Sequence, residues 1–380
     1  MTLFVLPFAL AAAPFEVVMW RTGESWPVTR ALAAQREAAR EGEELLWDRR
    51  LFSQQFNVYK LAGIAAGDPE VLVVGSSRVM QFRAEHVSPL SFYNAGGLLQ
   101  GYADLTKLLD MLSSGQLPMP EVLVIGLDPW WFTSGEPGPP SWLVPARLTD
   151  AAFDPSAHLR ALVAIPGDAR PLDAVLGSES TPTSGGLGLN AMRGNGFRAD
   201  GSRRYGGYLL EFACHPRYRD RESPPVLERI RQGSRQFAVG AGFDRDRWST
   251  ALATMRALPT EVVVFVPPVS TEAARALRAS PPHARWWEHY LEAARSAAGV
   301  QAVVIESPET VGLDDRYMLD GFHPSEVLIG MAVAEMQERA PAASPLRRVR
   351  SRWTHSSGVA SAWTPLAYET PADLPDCQAE

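Results

Sequence analysis

The chain alternates between short strand-like runs and longer segments with helical spacing. The run at 71–75 is continuously apolar and ends at a glycine, which is typical of a parallel strand covered on both faces. Helical spacing follows at 101–114, where leucines recur on one side. The alternation predicts an α/β fold with three layers, a mostly parallel sheet flanked by helices. The other strand-like runs lie at 91–94, 121–126, 261–266 and 302–305.

The regular alternation is lost between 133 and 240, after the third predicted strand. Proline and glycine are dense at 136–145, and serine, threonine and glycine at 178–201. Long segments without a periodic pattern are usually functional loops or disorder, so we expect an insertion that forms a lid or one wall of a cleft. The α/β domain is then expected to cover 66–340, and the Pro-, Ser- and Arg-rich residues 341–380 to form a largely disordered tail.

The amino-terminal end of the chain is apolar. Residues 3–20 contain one charged side chain, Glu16, and as a helix they would span about 27 Å, close to the thickness of a bilayer core. We expect residues 1–22 to anchor the chain in a membrane, with the remainder outside the cytoplasm. A cleavable signal peptide followed by secretion, or a buried helix that accommodates Glu16, are the alternatives.

An alanine-rich and charged pattern follows the apolar end. It predicts a solvated helix over 28–60, within a juxtamembrane segment that covers 23–65.

Composition excludes several classes of function. The chain has 380 residues, of which 46% are hydrophobic, so it can bury a large core without disulfides. A net charge of −7 argues against nucleic acid as a partner. The two cysteines form neither a metal-ligand spacing nor a disulfide framework. Because no strand is followed by a Gly-x-Gly-x-x-Gly or Gly-Lys-Ser/Thr pattern, nucleotide binding is a poor fit. We expect no cofactor and no metal.

Two distant segments carry groups suited to nucleophilic catalysis. The strand at 71–75 ends in a Gly-Ser-Ser turn whose last residue is Ser77, and a parallel sheet places such a serine at the edge where open α/β folds bind ligands. Near the carboxyl end, Asp320 precedes His323 by three residues, so a turn can bring its carboxylate to one ring nitrogen. Each segment alone is also compatible with an ordinary helix cap. Together they supply a nucleophile, an orienting acid and a base.

These segments resemble the four blocks of the SGNH (GDSL-like) hydrolase superfamily, over roughly 70–335. The Gly-Asp-Ser block is matched at 75–77, with Ser77 at the nucleophile, and the Asn/Gly-rich block is approximated at 94–101. The Gly-x-Asn-Asp block is loosely matched at 126–129, and the Asp-x-x-His block at 320–323. The layout is similar to that of membrane-anchored members that O-acylate bacterial polysaccharides and teichoic acids.

The resemblance implies an SGNH/flavodoxin-like sheet and an acylated glycan or another cell-envelope substrate. It also implies that Ser77 attacks the acyl carbon, His323 accepts its proton and Asp320 holds His323. Backbone N–H groups of Ser77 and of Gly97 or Gly101 would bind the oxyanion.

Two positions depart from the family pattern. Ser76 replaces the Asp of the first block, and Asp128 stands where the family places an Asn that donates to the oxyanion. An ionised Asp only accepts hydrogen bonds, and losing one oxyanion donor typically costs about 10²–10³ in rate. Arg78 has two interpretations, because it can bind an anionic group of the substrate or pair with Asp128. Gly97, Gly101, Asp128 and Arg78 therefore form the candidate oxyanion and substrate site.

Aromatic residues cluster after the third predicted strand. They can stack on sugar rings or pack the insertion, and packing is the more common role of such residues. They are Trp130, Trp131, Phe132 and Trp142.

Two functions remain open from the sequence. One is an extracytoplasmic serine esterase or O-acyltransferase acting on acyl groups of a glycan. The other is a non-catalytic, membrane-tethered binding or assembly protein of polysaccharide export that keeps the fold, and Asp128 is the residue that favours it. Hydrolysis and acyl transfer are not distinguished by the sequence.

Overall fold

The computed structural model describes residues 14–50, 56–133, 185–205, 224–233, 237 and 242–350. The chain divides into two compact units, one formed by 1–63 with 144–208 and the other by 64–143 with 209–380. Among the described residues no helix combines the length and the hydrophobicity that crossing a bilayer requires. The first 13 residues of the predicted anchor lie outside the described part.

Short strands and helices alternate along the described chain. The strands are β1 (Leu46–Trp47), β2 (Val71–Gly75), β3 (Phe92–Gly96), β4 (Val122–Gly126), β5 (Gly186–Leu187), β6 (Asn195–Phe197), β7 (Arg203–Tyr205), β8 (Glu261–Val266) and β9 (Gln301–Val304). The helices are α1 (described over 14–21), α2 (Val28–Arg40), α3 (Phe56–Gly67), α4 (Ala84–Val87), α5 (Tyr102–Ser113), α6 (Pro224–Arg231), α7 (Arg245–Ala257), α8 (Thr271–Ala279), α9 (Pro281–Arg295) and α10 (Glu326–Arg339).

The larger unit is built on a sheet of five parallel strands in the order β3-β2-β4-β8-β9. The chain passes from β2 to one side for β3 and then returns to the other side for β4. This reversal creates a switch point at the carboxyl ends of β2 and β4, where open α/β sheets bind their ligands. The predicted α/β class is confirmed, and the strand order is compatible with a flavodoxin-like fold.

The sheet forms because its central strands are apolar on both faces. Every residue of β2 and of β4 is buried, so neither strand shows the alternation of a half-exposed strand. Helices cover the sheet, and α10 contributes Ile329, Val333 and Met336 to the core that contains Val71 and Val73. Ser77 and Asp128 follow the carboxyl ends of these two buried strands.

The smaller unit contains a four-stranded sheet in the order β5-β1-β6-β7. Its strand β1 precedes the α/β unit in sequence, whereas β5, β6 and β7 come from the segment predicted as an insertion. Trp47 of β1 stacks on Tyr59 with ring centroids 4.1 Å apart, and it pairs with Phe197 of β6. The described part of the predicted insertion therefore has regular structure of its own.

The prediction of one continuous helix over 28–60 is wrong. Helix α2 ends at Arg40, because Gly42 adopts a left-handed conformation with φ of 80°, and β1 follows. The helix is also not fully solvated, since it buries Val28, Ala31, Leu32 and Gln35. The Gln35 side-chain amide donates to the carbonyls of Leu45 and Phe197, both at 2.8 Å, and so ties α2 to the small sheet.

The prediction of a disordered tail is wrong for residues 341–350. A short 3₁₀ helix, Pro345–Arg348, buries Leu346 against the core, and Val349 is buried beside it. Residues 351–380 lie outside the described part.

Candidate active site

Three glycines at the ends of adjacent strands form a notch for Val79. A Cβ atom on Gly126 would lie 2.1 Å from a Val79 methyl carbon, and Cβ atoms on Gly75 and Gly96 would lie 2.9 and 3.0 Å from the other methyl carbon. Only residues without a side chain leave this space. The 3₁₀ turn Ser77–Val79 therefore lies directly against the strand ends.

Ser77 is the only residue between 71 and 83 that is partly exposed, and the others are buried. The strand before it and the residues after it are buried, and Val79 is held in the glycine notch. The Ser76 hydroxyl accepts a hydrogen bond from the N–H of Arg78 at 3.3 Å, which closes the turn. The fold thus presents one hydroxyl at the switch point of the sheet.

The hydroxyl of Ser77 contacts the imidazole of His323. Ser77 Oγ lies 2.8 Å from His323 Nε2, and His323 Nδ1 lies 3.0 and 2.9 Å from the two carboxylate oxygens of Asp320. Because the carboxylate accepts from Nδ1–H, Nε2 carries the lone pair that can take the Ser77 proton. The structure brings together all three residues that the sequence selected as nucleophile, base and orienting acid.

The Asp320 carboxylate is held by its own turn. Its Oδ1 accepts from the backbone N–H groups of Phe322 and His323 at 2.8 and 2.7 Å. Burial acts to raise the pKa of Asp320, but the charge of His323 and the hydrogen bonds from His323 and Phe322 outweigh it and lower the pKa to about 2. Asp320 is therefore ionised at neutral pH, as an acceptor for His323 must be.

The hydrogen bonds of the loop after β3 identify the available oxyanion donors. The Gly97 N–H is bonded to the carbonyls of Gly75 and Ser76, both at 2.9 Å, which corrects its expected role as a donor. The N–H groups of Ser77 and Gly101 have no partner among the described residues, so these two remain candidates. The N–H groups of Leu98, Leu99 and Gln100 already have acceptors. These are the carbonyls of Ala95 and Gly75 and the carboxylate of Asp104, respectively.

Arg78 and Asp128 lie beneath the site as a buried ion pair. Arg78 Nη1 donates to Asp128 Oδ1 at 2.8 Å, and the two side chains are 1% and 0% exposed. Of the two interpretations of Arg78, the structure shows the ion pair. Because both groups are covered, neither is placed to touch a substrate, which corrects their expected part in the oxyanion and substrate site.

Two opposing effects act on the Asp128 carboxyl. Burial raises its pKa, while the charge of Arg78 and hydrogen bonding by Ser76 and Arg78 oppose the rise, and the net shift is upward. The Ser76 hydroxyl is close enough to act on Asp128, although Asp128 Oδ2 has no hydrogen bond of good geometry among the described residues. Arg78 is the counter-ion of this carboxyl, because its Nη1 lies at hydrogen-bond distance from Oδ1.

Among the described members of the aromatic group after the third predicted strand, only Trp130 is partly exposed. Trp131 and Phe132 are buried, Trp142 lies outside the described residues, and Trp130 remains half-buried. Trp130 stacks on Phe322 with centroids 5.5 Å apart, and the Phe322 ring lies at right angles to the His323 ring with centroids 5.7 Å apart. An aromatic surface therefore adjoins the base.

Sequence reasoning missed several residues that build the site. The backbone carbonyls of Pro267 and Pro268 accept from Arg78, and the Tyr290 hydroxyl donates at 2.8 Å to the carbonyl of Leu127, which precedes Asp128. Carbonyl acceptors leave no sequence signal. The glycines that end three strands are visible in the sequence, and they indicate where the nucleophile turn packs.

Comparisons with known proteins add no family to this geometry. No protein-family model matches the chain, and no curated protein or solved structure is significantly similar to it. Within the described residues no cluster of three or more His, Cys, Asp or Glu side chains is arranged to hold a metal.

Proposed function

We propose that this protein is an SGNH-type serine esterase or O-acyltransferase that acts outside the cytoplasm on acyl groups of a glycan or a related cell-envelope substrate. The observation that carries the proposal is the chain of contacts from Ser77 Oγ through His323 to Asp320, with Ser77 as the one partly exposed residue between 71 and 83. The substrate class and the location rest on the SGNH resemblance and on the apolar amino-terminal end.

The geometry supports acyl transfer in two steps. Ser77 Oγ attacks the ester carbonyl carbon while its proton passes to His323 Nε2. The oxyanion of the tetrahedral intermediate accepts hydrogen bonds from the N–H groups of Ser77 and Gly101. When the intermediate collapses, the carbon–oxygen bond to the sugar breaks, and the leaving alcohol takes the proton from His323.

The second step reverses the first with a different acceptor. Water, or a hydroxyl of another glycan, gives its proton to His323 Nε2 and attacks the acyl-Ser77 carbonyl. Ser77 is released with its proton restored. Attack by water makes the protein an esterase, and attack by a hydroxyl makes it an O-acyltransferase.

The non-catalytic alternative has one observation in its favour. Asp128 occupies the position where an SGNH enzyme has a donating Asn, and Gly97 N–H is committed to two carbonyls. The oxyanion site then has two backbone donors and no side-chain donor. A membrane-tethered binding or assembly protein of polysaccharide export would not need a side-chain donor, because it stabilises no oxyanion.

Covalent labelling separates these two functions. The full-length protein is treated with a fluorophosphonate probe, beside Ser77→Ala and the neighbouring control Ser76→Ala. An enzyme labels at Ser77, loses labelling in Ser77→Ala and keeps it in Ser76→Ala, because the Ser76 hydroxyl acts on its own turn and on the buried Asp128 carboxyl rather than on His323. Absence of labelling in a protein whose thermal unfolding is cooperative would select the binding function.

A further inference from the structure

The Arg78 side chain joins four backbone and side-chain acceptors around the site. Nε donates to the Phe322 carbonyl at 3.2 Å, Nη1 to Asp128 Oδ1 at 2.8 Å, and Nη2 to the carbonyls of Pro267 and Pro268 at 2.5 and 2.8 Å. The guanidinium carbon also lies 4.7 Å from the centroid of the Phe322 ring. Four contacts in a fixed fork leave the side chain no alternative position.

These acceptors belong to three separate loops at the carboxyl edge of the sheet. Asp128 follows β4, the two prolines follow β8, and Phe322 lies in the turn that carries the base. Arg78 itself is the residue after Ser77, and Phe322 is the residue before His323. Arg78, the neighbour of the nucleophile, is thus bonded directly to Phe322, the neighbour of the base.

We propose that Arg78 is a positioning residue that sets the distance between Ser77 Oγ and His323 Nε2, and that Asp128 acts on the reaction only by holding Arg78. The inference rests on the proposed function, since it concerns the same reaction. Asp128 then does not replace the family's Asn as a donor. Its charge is matched by Arg78, so it presents no uncompensated negative charge to an oxyanion.

A second buried arginine provides a matched comparison. Arg83 lies on the same segment and also reaches the carboxyl-terminal part of the chain, but its Nη1 binds the Glu326 carboxylate at 3.2 Å rather than the carbonyl before His323. Replacing either arginine by lysine removes a planar fork and keeps the positive charge. Arg78 is bonded to the turn between Asp320 and His323 through the Phe322 carbonyl.

The experiment measures fluorophosphonate labelling of full-length Arg78→Lys, Asp128→Asn and Arg83→Lys. The saturating labelling rate and the half-saturating probe concentration are determined separately, with thermal unfolding as the measure of folding. We expect Arg78→Lys to lower the saturating rate by about 10²-fold, because a shift of about 1 Å at the reacting groups has that effect. The half-saturating concentration should change less than about threefold. Asp128→Asn should lower the rate in the same way, and Arg83→Lys should not.

The pH profile of labelling distinguishes positioning from a loss of fold. In the natural protein the rate should become independent of pH in the alkaline range, because His323 rather than hydroxide removes the Ser77 proton. In Arg78→Lys the rate should keep rising with pH, because hydroxide replaces the displaced base. A profile that levels off in Arg78→Lys, or an equal fall in Arg83→Lys, would overturn the inference.

The labelling experiment distinguishes failure of the proposed function from failure of the positioning role alone. If the folded natural protein does not label at all, the catalytic proposal fails, and the positioning role fails with it. If the natural protein labels and Arg78→Lys labels at the same saturating rate, only the positioning role is refuted. If Arg78→Lys does not fold, Asp128→Asn is used in its place, and its saturating labelling rate and the pH profile of that rate decide the question.

Discussion

His323 Nε2 lies 2.8 Å from Ser77 Oγ, although 246 residues separate the two in sequence. The contact exists because Ser77 follows β2, at the switch point of a parallel sheet, and the turn of His323 is bonded to the same sheet edge through Arg78. The Ser77 turn is placed by the glycine notch, and the His323 turn by the Asp320 carboxylate. Each partner is therefore held within its own turn.

The first prediction concerns the orienting carboxylate. Asp320→Asn should lower esterase activity and labelling by about 10³–10⁴, because the amide favours the wrong imidazole tautomer. Activity is measured with a p-nitrophenyl ester.

Asp315→Asn is the control, since Asp315 accepts from the N–H of Thr271 at 2.6 Å and caps α8 without contacting His323. That variant should lose about 1 kcal/mol of stability and keep its activity. Equal activity in Asp320→Asn and Asp315→Asn would contradict the triad.

The second prediction concerns acid stability. The pKa of Asp320 is lowered from its ordinary 3.8 to about 2, so its ionised form contributes stability that is complete above pH 4 and is lost as pH falls towards 2. Since the side chain is 29% exposed, we expect at most about 2 kcal/mol. Urea unfolding between pH 2 and 5 measures this contribution. Asp320→Asn should lack this part of the pH dependence, and an unchanged slope in that variant would contradict the assignment.

The third prediction concerns the buried ion pair. Asp128→Asn introduces the Asn of the SGNH block that 126–129 loosely resembles, yet it should destabilise the protein by about 3–5 kcal/mol, because Arg78 loses its buried counter-charge. The double variant Arg78→Met/Asp128→Leu should be more stable than Asp128→Asn, since it leaves no unpaired buried charge. Urea unfolding gives the three free energies. A stable Asp128→Asn variant with faster labelling would show that Asp128 obstructs an oxyanion donor.

The fourth prediction concerns the glycine notch. Gly126→Ala would place a methyl group 2.1 Å from the Val79 side chain and should destabilise the protein by about 1–3 kcal/mol. Labelling should fall as well, because the turn that carries Ser77 must move. Adding Val79→Ala makes room for the methyl group and should recover part of the labelling rate. Gly101→Ala serves as the stability control, since a Cβ there meets nothing within 4 Å. An undisturbed Gly126→Ala variant would refute the notch.

The α/β unit was largely predictable from the sequence. The runs at 71–75 and 261–266 coincide with β2 and β8, because a buried parallel strand needs an apolar residue at every position. The contacts among Ser77, His323 and Asp320 were equally predictable. The serine turn and the Asp-x-x-His spacing are local signals, and the parallel sheet gives the reason for bringing them together.

The small sheet and the surroundings of Arg78 were not predictable in this way. Strands β1 and β5 have two residues each, which is too short for a period of two to appear, and they pair across about 140 positions of sequence. The role of Arg78 depends on three backbone carbonyls, and any residue type provides a carbonyl. Its partner Asp128 was identified, because a carboxylate is visible in the sequence.

The pairing of β1 with β5 and β6 has a consequence for how the protein is produced. A shortened version that begins at the α/β unit would remove the apolar amino-terminal end. Such a version would also lack β1, and with it Trp47 and the backbone groups that pair with β5 and β6. Phe197 and the edge of β6 would then be left without their neighbour, as an open strand prone to aggregation. Expression designs should therefore retain the chain from α2 onward, so that the segment between β4 and α6 keeps its partner strand.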